Sequence, residues 1–267
     1  MKLIVIVSAI LLLTLPAWAG TFLVDFNNGN LDEWQEFLMP GVKLGSWEII
    51  DSELHAVSNG QSTRLLAIGD EAWSDYTFEF DVKPLKQQGR SNIAIAARIN
   101  GDWVVWCMIG DLPPFPDNIS RALCVAGNFR ALKTLYSFGS EHHLPMNLKQ
   151  WSKLKLEVEG NTLNLWINEK KVLGPIRLPN RETFQQLDAA EKRHQVEHHG
   201  ADPENFEAMQ FGEFQDFLTG SVGLGLSNQT ARFDNLIITG DNIPNSDGLS
   251  VTPQSKLPTF WGNLKRP

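Results

Sequence analysis

The sequence predicts an all-β fold, an antiparallel sandwich or barrel that carries one partly helical insertion. Three observations predict it. The first is alternation: YTFEFDVKP sets Tyr76, Phe78, Phe80 and Val82 on one face and Thr77, Glu79, Asp81 and Lys83 on the other. A period of two marks a strand with one packed side. The second is a supply of turn signals between short apolar runs, with Asp51-Ser52, Asn100-Gly101 and Gly160-Asn161 among them. The third is the stretch from Gly220 to Gly240, where Val222, Leu224 and Leu226 alternate with Gly223, Gly225 and Ser227. Asn228-Gln229 reads as a turn and ARFDNLIITG as a returning strand. Such a late hairpin would close a sandwich by pairing with the N-terminal strand TFLVDF. Phe233 has the opposite parity to Leu236 and Ile238, so burying all three requires a β-bulge near Asp234-Asn235.

In chain order, residues 1–19 read as a secretory signal. Lys2 gives a basic start, Leu3 to Leu15 an apolar run too short for a comfortable membrane span, and Ala17-Trp18-Ala19 a small-residue cleavage site. Residues 20–240 form the expected sandwich. TFLVDFNNG is a strand and turn, GSWEIIDSELHAVS a hairpin, and TRLLAIG a further strand. SNIAIAARIN turns at Asn100-Gly101 into DWVVWCMIG, which is apolar at both parities and therefore belongs in the middle of a sheet. RALCVAG and the run from Phe129 to Phe138 continue the pattern. In KLKLEVEGNTLNLWINEKKV, Leu154, Leu156 and Val158 face Leu163, Leu165 and Ile167 across the turn as one packed layer. Residues 179–219 break the alternation; they are rich in Glu, Gln and His and read as a helical insertion with a thin apolar stripe at Phe184, Leu187 and Ala190. Residues 241–267 are a linker by composition and a tail, TFWGNLKRP, that is a candidate docking peptide for a protein partner.

Composition bounds the partners. In 267 residues, 23 Lys and Arg stand against 31 Asp and Glu, a net charge of −8. That balance disfavours nucleic acid, whose binding depends on neutralising phosphates. The expected setting is secreted, periplasmic or cell-surface, with no transmembrane segment once the signal is removed. Cys107 and Cys124, the only two cysteines, flank the loop GDLPPFPDNIS, so a hairpin about it would set them nearly opposite. In an oxidising compartment they would form a disulfide; two buried thiols are the alternative.

In this order, DFNNGNLDEW, GSWEIIDSEL, YTFEFDVKP, WSKLKLEVEGNTLNLWINEKKV and GSVGLGLSNQTARFDNLII resemble the concanavalin A-like lectin/glucanase superfamily. Within it, the chain looks like the laminin G-like and 3-keto-disaccharide hydrolase-type domains of exported bacterial proteins, from about Thr21 to Gly240. The resemblance implies an antiparallel jelly-roll sandwich, concanavalin A-like, with a concave face that often holds carbohydrate in relatives. The same fold hosts lectins, hydrolases and adhesion modules, so the function must come from a site.

Four constellations are candidates for that site. Glu79 and Asp81 point the same way from one strand, where glucanase relatives carry catalytic carboxylates as Glu-x-Asp followed by a further Glu; Lys83 stands where the second Glu would be. A retaining glycosidase sets its two carboxyls roughly 5 to 5.5 Å apart, and this pair, with His142 or His143 nearby, would have to meet that spacing; solvated strand carboxylates are the alternative. Trp106 and Trp166 are out of phase with their apolar neighbours and should leave the core. Beside Arg98, Glu79 or Asp81, either ring would hold a sugar by stacking on its CH face; packing beneath the insertion is the competing reading. Asp25 and Asp234 fall on neighbouring terminal strands, where the resemblance implies a structural Ca2+; backbone satisfaction at the bulge is the alternative. No other cofactor is required. His194-Gln-Val-Glu197-His198 matches an H-x-x-E-H zinc motif but lacks a third ligand and the scaffold such sites need. The expectation is an exported carbohydrate-binding domain, with a glycoside or 3-keto-glycoside hydrolase and a non-catalytic adhesion module as its rivals.

Overall fold

Two long strands organise the molecule in the computed structural model. It describes residues 20–27, 29–39, 41, 45–112, 120–130, 133–142, 144, 146–183, 186, 197 and 216–245. These residues contain thirteen strands, all paired antiparallel. In order they are β1 (Gly20–Val24), β2 (Gln35–Leu38), β3 (Ser46–Ile50), β4 (Glu53–Ser58), β5 (Arg64–Ile68), β6 (Tyr76–Asn100) and β7 (Trp103–Asp111). Then come β8 (Ser120–Asn128), β9 (Lys133–His142), β10 (Ser152–Glu159), β11 (Thr162–Ile167), β12 (Lys170–Arg177) and β13 (Ser221–Gly240).

The run from Tyr76 to Asn100 is one strand, not two, and so is the run from Ser221 to Gly240. The hairpin expected at Asn228-Gln229 does not form: the chain bends there and continues. Asn228 takes a φ of +48° and its amide Nδ2 donates to the carbonyls of Gln88 and Arg90, the latter at 3.0 Å. A side chain that bonds the facing backbone locks the bend and leaves no reason to reverse. Opposite it, β6 bends with Gly89 at φ +94°.

Each long strand therefore serves two sheets. Beyond the bend, Thr230–Gly240 pairs with Tyr76–Lys86, giving sheet A in the order β12-β11-β10-β6-β13-β4-β3, with β1 also on β13. Before it, Ser221–Ser227 pairs with Asn92–Ile99 and β5, giving sheet B in the order β9-β8-β7-β6-β13-β5-β2. The result is a jelly-roll sandwich. The first strand closes it as expected, with Gly20 opposite Gly240 and Val24 opposite Leu236. The bulge is also where parity requires it: register shifts between Asp234 and Ile237, Asn235 has φ +53°, and Phe233, Leu236 and Ile238 are all buried.

One core fills the space between the sheets. Sheet A contributes Phe78, Phe80, Leu154, Leu156, Leu163 and Leu165; sheet B contributes Ile93, Ile95, Val105, Cys107, Leu66 and Leu224. Cys107 and Cys124 face each other in the register of β7 and β8 and are joined by a disulfide inside this core. A polar clasp ties the sheet edges: Arg64 on β5 binds Glu36 on β2, donates to the carbonyl of Val57 on β4 at 3.0 Å, and lies 5.5 Å from the ring centre of Trp47 on β3.

Arg181–Thr183 begin helically, with the Thr183 N–H bonded to the Asn180 side chain at 2.9 Å. Most of the insertion, the expected signal (residues 1–19), His194 and His198, His143 and the tail beyond residue 245 lie outside the described residues. Of β9, and so of His142, the description covers the backbone. No helix among the described residues is long and apolar enough to cross a membrane.

Candidate functional site

Alternation along β6 sends Glu79 and Asp81 outward from sheet A, each about a quarter exposed, while Phe78 and Phe80 on the other parity have no exposure. The register then decides what they meet. Lys153 stands opposite Asp81, and its Nζ lies 3.2 Å from Asp81 and 3.5 Å from Glu79. Asn235, turned outward by the bulge, donates to the other oxygen of Asp81 at 2.8 Å. Lys155 is opposite both Glu79 and Trp166, and Lys171 is opposite Trp166 from the other side. Their ammonium groups sit 4.4 and 5.0 Å from the ring centre. Asn164 donates to Glu157 at 3.1 Å and accepts from Lys171 at 2.8 Å. Glu79, Asp81 and Trp166 thus share one face, as their parity requires, and each already has cationic partners. A sugar stacking on Trp166 would have to displace an ammonium group.

Arg98 and Trp106 are elsewhere. Because β6 passes through its bend before reaching Arg98, that residue belongs to sheet B and is fully buried. Its guanidinium is held at 3.2 Å by both Asp75 and the carbonyl of Gly160, and lies 5.5 Å from the Tyr76 ring centre. Its N–H, at φ +55°, donates to the Tyr76 hydroxyl at 2.8 Å, and that hydroxyl donates to the Gly220 carbonyl at 3.0 Å. Burial pushes the Tyr76 hydroxyl well above the ordinary tyrosine range. The expectation that Arg98 contacts ligand is corrected: it fastens one end of the sandwich. Trp106 does leave the main core, as its parity predicts, but it is only 3% exposed. It packs edge-on to Phe129 at 5.2 Å in a second apolar cluster with Leu65, Ala94, Ala96 and Val125. A buried indole offers no platform to a glycan, so that expectation is corrected too.

Asp25 accepts from the N–H of Asn27 at 3.1 Å, and Asp234 from that of Asn235 at 2.8 Å. Both carboxylates serve the local backbone, and no three His, Cys, Asp or Glu side chains gather into a metal-binding group among the described residues.

A different place has the shape of a binding site. Where β6 bends, β7 ends and the chain enters β10, a cavity of about 850 Å3 opens. Sequence explains its walls. Gly89 and the Asn228 amide set the bend that brings in Gln87 and Arg90. Gly110 lets β7 close against β6, since a Cβ there would stand 2.2 Å from the Ser91 carbonyl oxygen. The segment Met146–Leu148 is held by the Lys149 N–H, which donates to the Pro84 carbonyl at 2.7 Å. Polar groups converge on the space from Gln61, Gln87, Arg90, Asp111, Asn147 and Gln229, and Pro84, Ile109, Met146 and Leu148 supply apolar surface. Asp111 is the carboxylate of the described lining; its Oδ1 is shielded from solvent and accepts no hydrogen bond among the described residues, so a donor reaches that oxygen only when the groups around it shift. Sequence reasoning missed this residue. The one signal was an acidic side chain ending the otherwise apolar strand WVVWCMIGD, next to the QQGR bend that only the fold brings near it.

A family model described as a 3-keto-alpha-glucoside-1,2-lyase-like domain matches residues 21–239. No curated protein matches the chain. Among solved structures, it is similar to carbohydrate binding module CBM66 from Bacillus subtilis, at 16% identity over 76% of this chain and 93% of that one, with a TM-score of 0.46. Domain 4 of AbnA, a GH43 extracellular arabinanase from Geobacillus stearothermophilus in complex with arabinotriose, is similar at 14% identity over 83% and 93%, TM-score 0.41. A Bacillus licheniformis beta-glucanase is similar at 11% identity over 83% and 98%, TM-score 0.44. The sandwich described above stands on its own strand pairing, independently of these likenesses.

Proposed function

The chain belongs to the 3-keto-alpha-glucoside-1,2-lyase-like domain family, and from that premise we propose that it is a carbohydrate-binding domain whose glycan sits in the cavity at the bend of β6. The observation that carries this reading is the mixed lining of the cavity: Asp111, Gln61, Gln87, Asn147 and Gln229 share its wall, residue types that suit a ligand presenting several hydroxyl donors and acceptors. Pro84, Ile109 and Met146 give the CH face of a sugar something apolar to lie against. Export fits the same picture: a disulfide in the core belongs to a protein matured in an oxidising compartment.

The test is glycan binding by the full chain, measured by calorimetry over a panel of glucosides, with Asp111→Asn as the variant. A hydrogen bond to a charged group contributes roughly 1.5 to 3 kcal/mol, so affinity should fall about ten- to a hundredfold. Unchanged affinity in the variant would remove the cavity as the seat.

The same residue favours a second reading. A 3-keto group acidifies the C2 proton of a glucoside. The Asp111 carboxylate would take that proton, a C1=C2 double bond would form as the C1–O bond breaks, and the aglycone oxygen would take a proton from solvent to leave as an alcohol while the Asp111 proton returns to solvent. Release of aglycone from a 3-keto-α-glucoside, lost in Asp111→Asn, would make the domain a lyase; binding without release would keep it a lectin-like module.

A further inference from the structure

The cavity has a continuation that its own walls point to. Trp151 precedes β10 and is 40% exposed, while Leu148 on the cavity wall is 47% exposed. Both are large apolar side chains left open to solvent, and they lie within one short turn, where the Gln150 N–H bonds back to the Asn147 carbonyl at 3.4 Å. The opposing strand ties the ring to the cavity as well. Ser152 pairs with Val82, which places Trp151 beside Lys83, and the Lys83 ammonium lies 5.9 Å from the indole centre. The next residue of β6 is Pro84, itself part of the cavity wall, about 3.3 Å further along the strand. The Lys149 N–H bonded to the Pro84 carbonyl holds the two segments together at that point. The turn at Leu148 thus leads out of the cavity and onto an indole that has a cation from one neighbouring strand and substantial open surface.

We propose that Trp151 is a second sugar subsite, the platform for the unit that follows the one seated in the cavity, so that the domain reads an oligosaccharide rather than a single sugar. The inference rests on the carbohydrate reading above and adds its length requirement. Stacking of a pyranose CH face on an exposed indole needs no hydrogen-bond code. The cavity therefore selects the terminal unit, and the ring rewards a chain of the right geometry. Lys83 over the same ring fixes its orientation.

Calorimetric titration of the full chain with glucose and with α-linked gluco-oligosaccharides of two, three and four units tests this. Affinity should rise on passing from one unit to two or three. In Trp151→Ala that gain should vanish, a loss of roughly three- to tenfold for the longer probes by the usual worth of an aromatic contact. Glucose affinity should stay as in the unaltered protein, and Trp151→Phe should restore most of the gain. Binding that ignores length, or that is equal in Trp151→Ala, would overturn the subsite while leaving the cavity standing. No binding of any probe by the unaltered protein would overturn both. Retained glycan binding in Trp151→Ala with loss of a protein partner would assign the ring to protein docking and also overturn the subsite.

Discussion

The outward faces of the two sheets are opposites. On sheet A, Glu79, Asp81, Lys153, Lys155, Glu157 and Lys171 leave the core in reach of water: Lys153 pairs with Glu79 and Asp81, Glu157 and Lys171 bond Asn164, and Lys155 and Lys171 lie over Trp166. On sheet B the corresponding positions are Leu65, Ala67, Ala94, Ala96, Trp106 and Val125, none more than 5% exposed. Gly223 and Gly225 lie among them on β13, and a Cβ on Gly225 would stand 2.2 Å from the Arg64 carbonyl oxygen. The lesson concerns what parity can tell. Alternation says which side chains leave the main core, and it said so correctly for Glu79, Trp106 and Trp166 alike. Whether the face they reach is wet or packed is a separate question. Its answer lies in the second parity: polar there in YTFEFDVKP, apolar there in SNIAIAARIN and WVVWCMIG.

The largest expected effect breaks the comparison if it fails. Trp106→Ala should remove a buried indole packed against Phe129 and cost about 3–5 kcal/mol of folding stability, read as a shift of the urea midpoint. Trp166→Ala, the matching change on sheet A, should move the midpoint far less. Equal shifts would mean that the two faces do not differ in burial. Next in size is the disulfide. Cys107 and Cys124 are 17 residues apart, and closing a loop of that order stabilises by about 3 kcal/mol in the chain-entropy treatment. Cys107→Ala with Cys124→Ala should lower the midpoint accordingly, and addition of reductant should lower that of the unaltered protein but not of the double variant.

Much of the fold was legible. The turns at Asp51-Ser52, Asn100-Gly101 and Gly160-Asn161, the bulge beside Asn235 and the pairing of the first strand with the last all follow from short-range pattern, and the structure has each of them. The reading failed where a local signal had two outcomes. Asn228 can make a tight turn or bond across to Gln88 and Arg90; only the presence of β6 opposite decides for the bend. That one difference carries Arg98 away from Glu79 and Asp81 and builds the cavity. Its members come from five separated stretches, around Gln61, Gln87, Asp111, Asn147 and Gln229, and no spacing in a sequence encodes their meeting. Trp151 stands just ahead of a strand, and that position does not reveal whether its ring is covered or open.

The smallest expected effect is the sharpest test of where glycan binds. Trp166 is, with Trp106, one of the two aromatic residues that sequence parity selects for the task, and on sheet A it stands between Lys155 and Lys171. Two ammonium groups near one indole give up little when the ring is removed, because exposed cation–π contacts contribute roughly 0.5–1 kcal/mol each and the lysines return to water. Trp166→Ala should therefore leave gluco-oligosaccharide affinity within about twofold of the unaltered value. Its affinity at low and at 0.5 M salt should also differ little, since a neutral sugar held away from the charged face has no ion pair for salt to screen. A tenfold loss would reverse the argument: it would put the sugar on the charged face, require the lysines to act as hydroxyl donors instead of ring partners, and leave the unpaired Asp111 oxygen without a role.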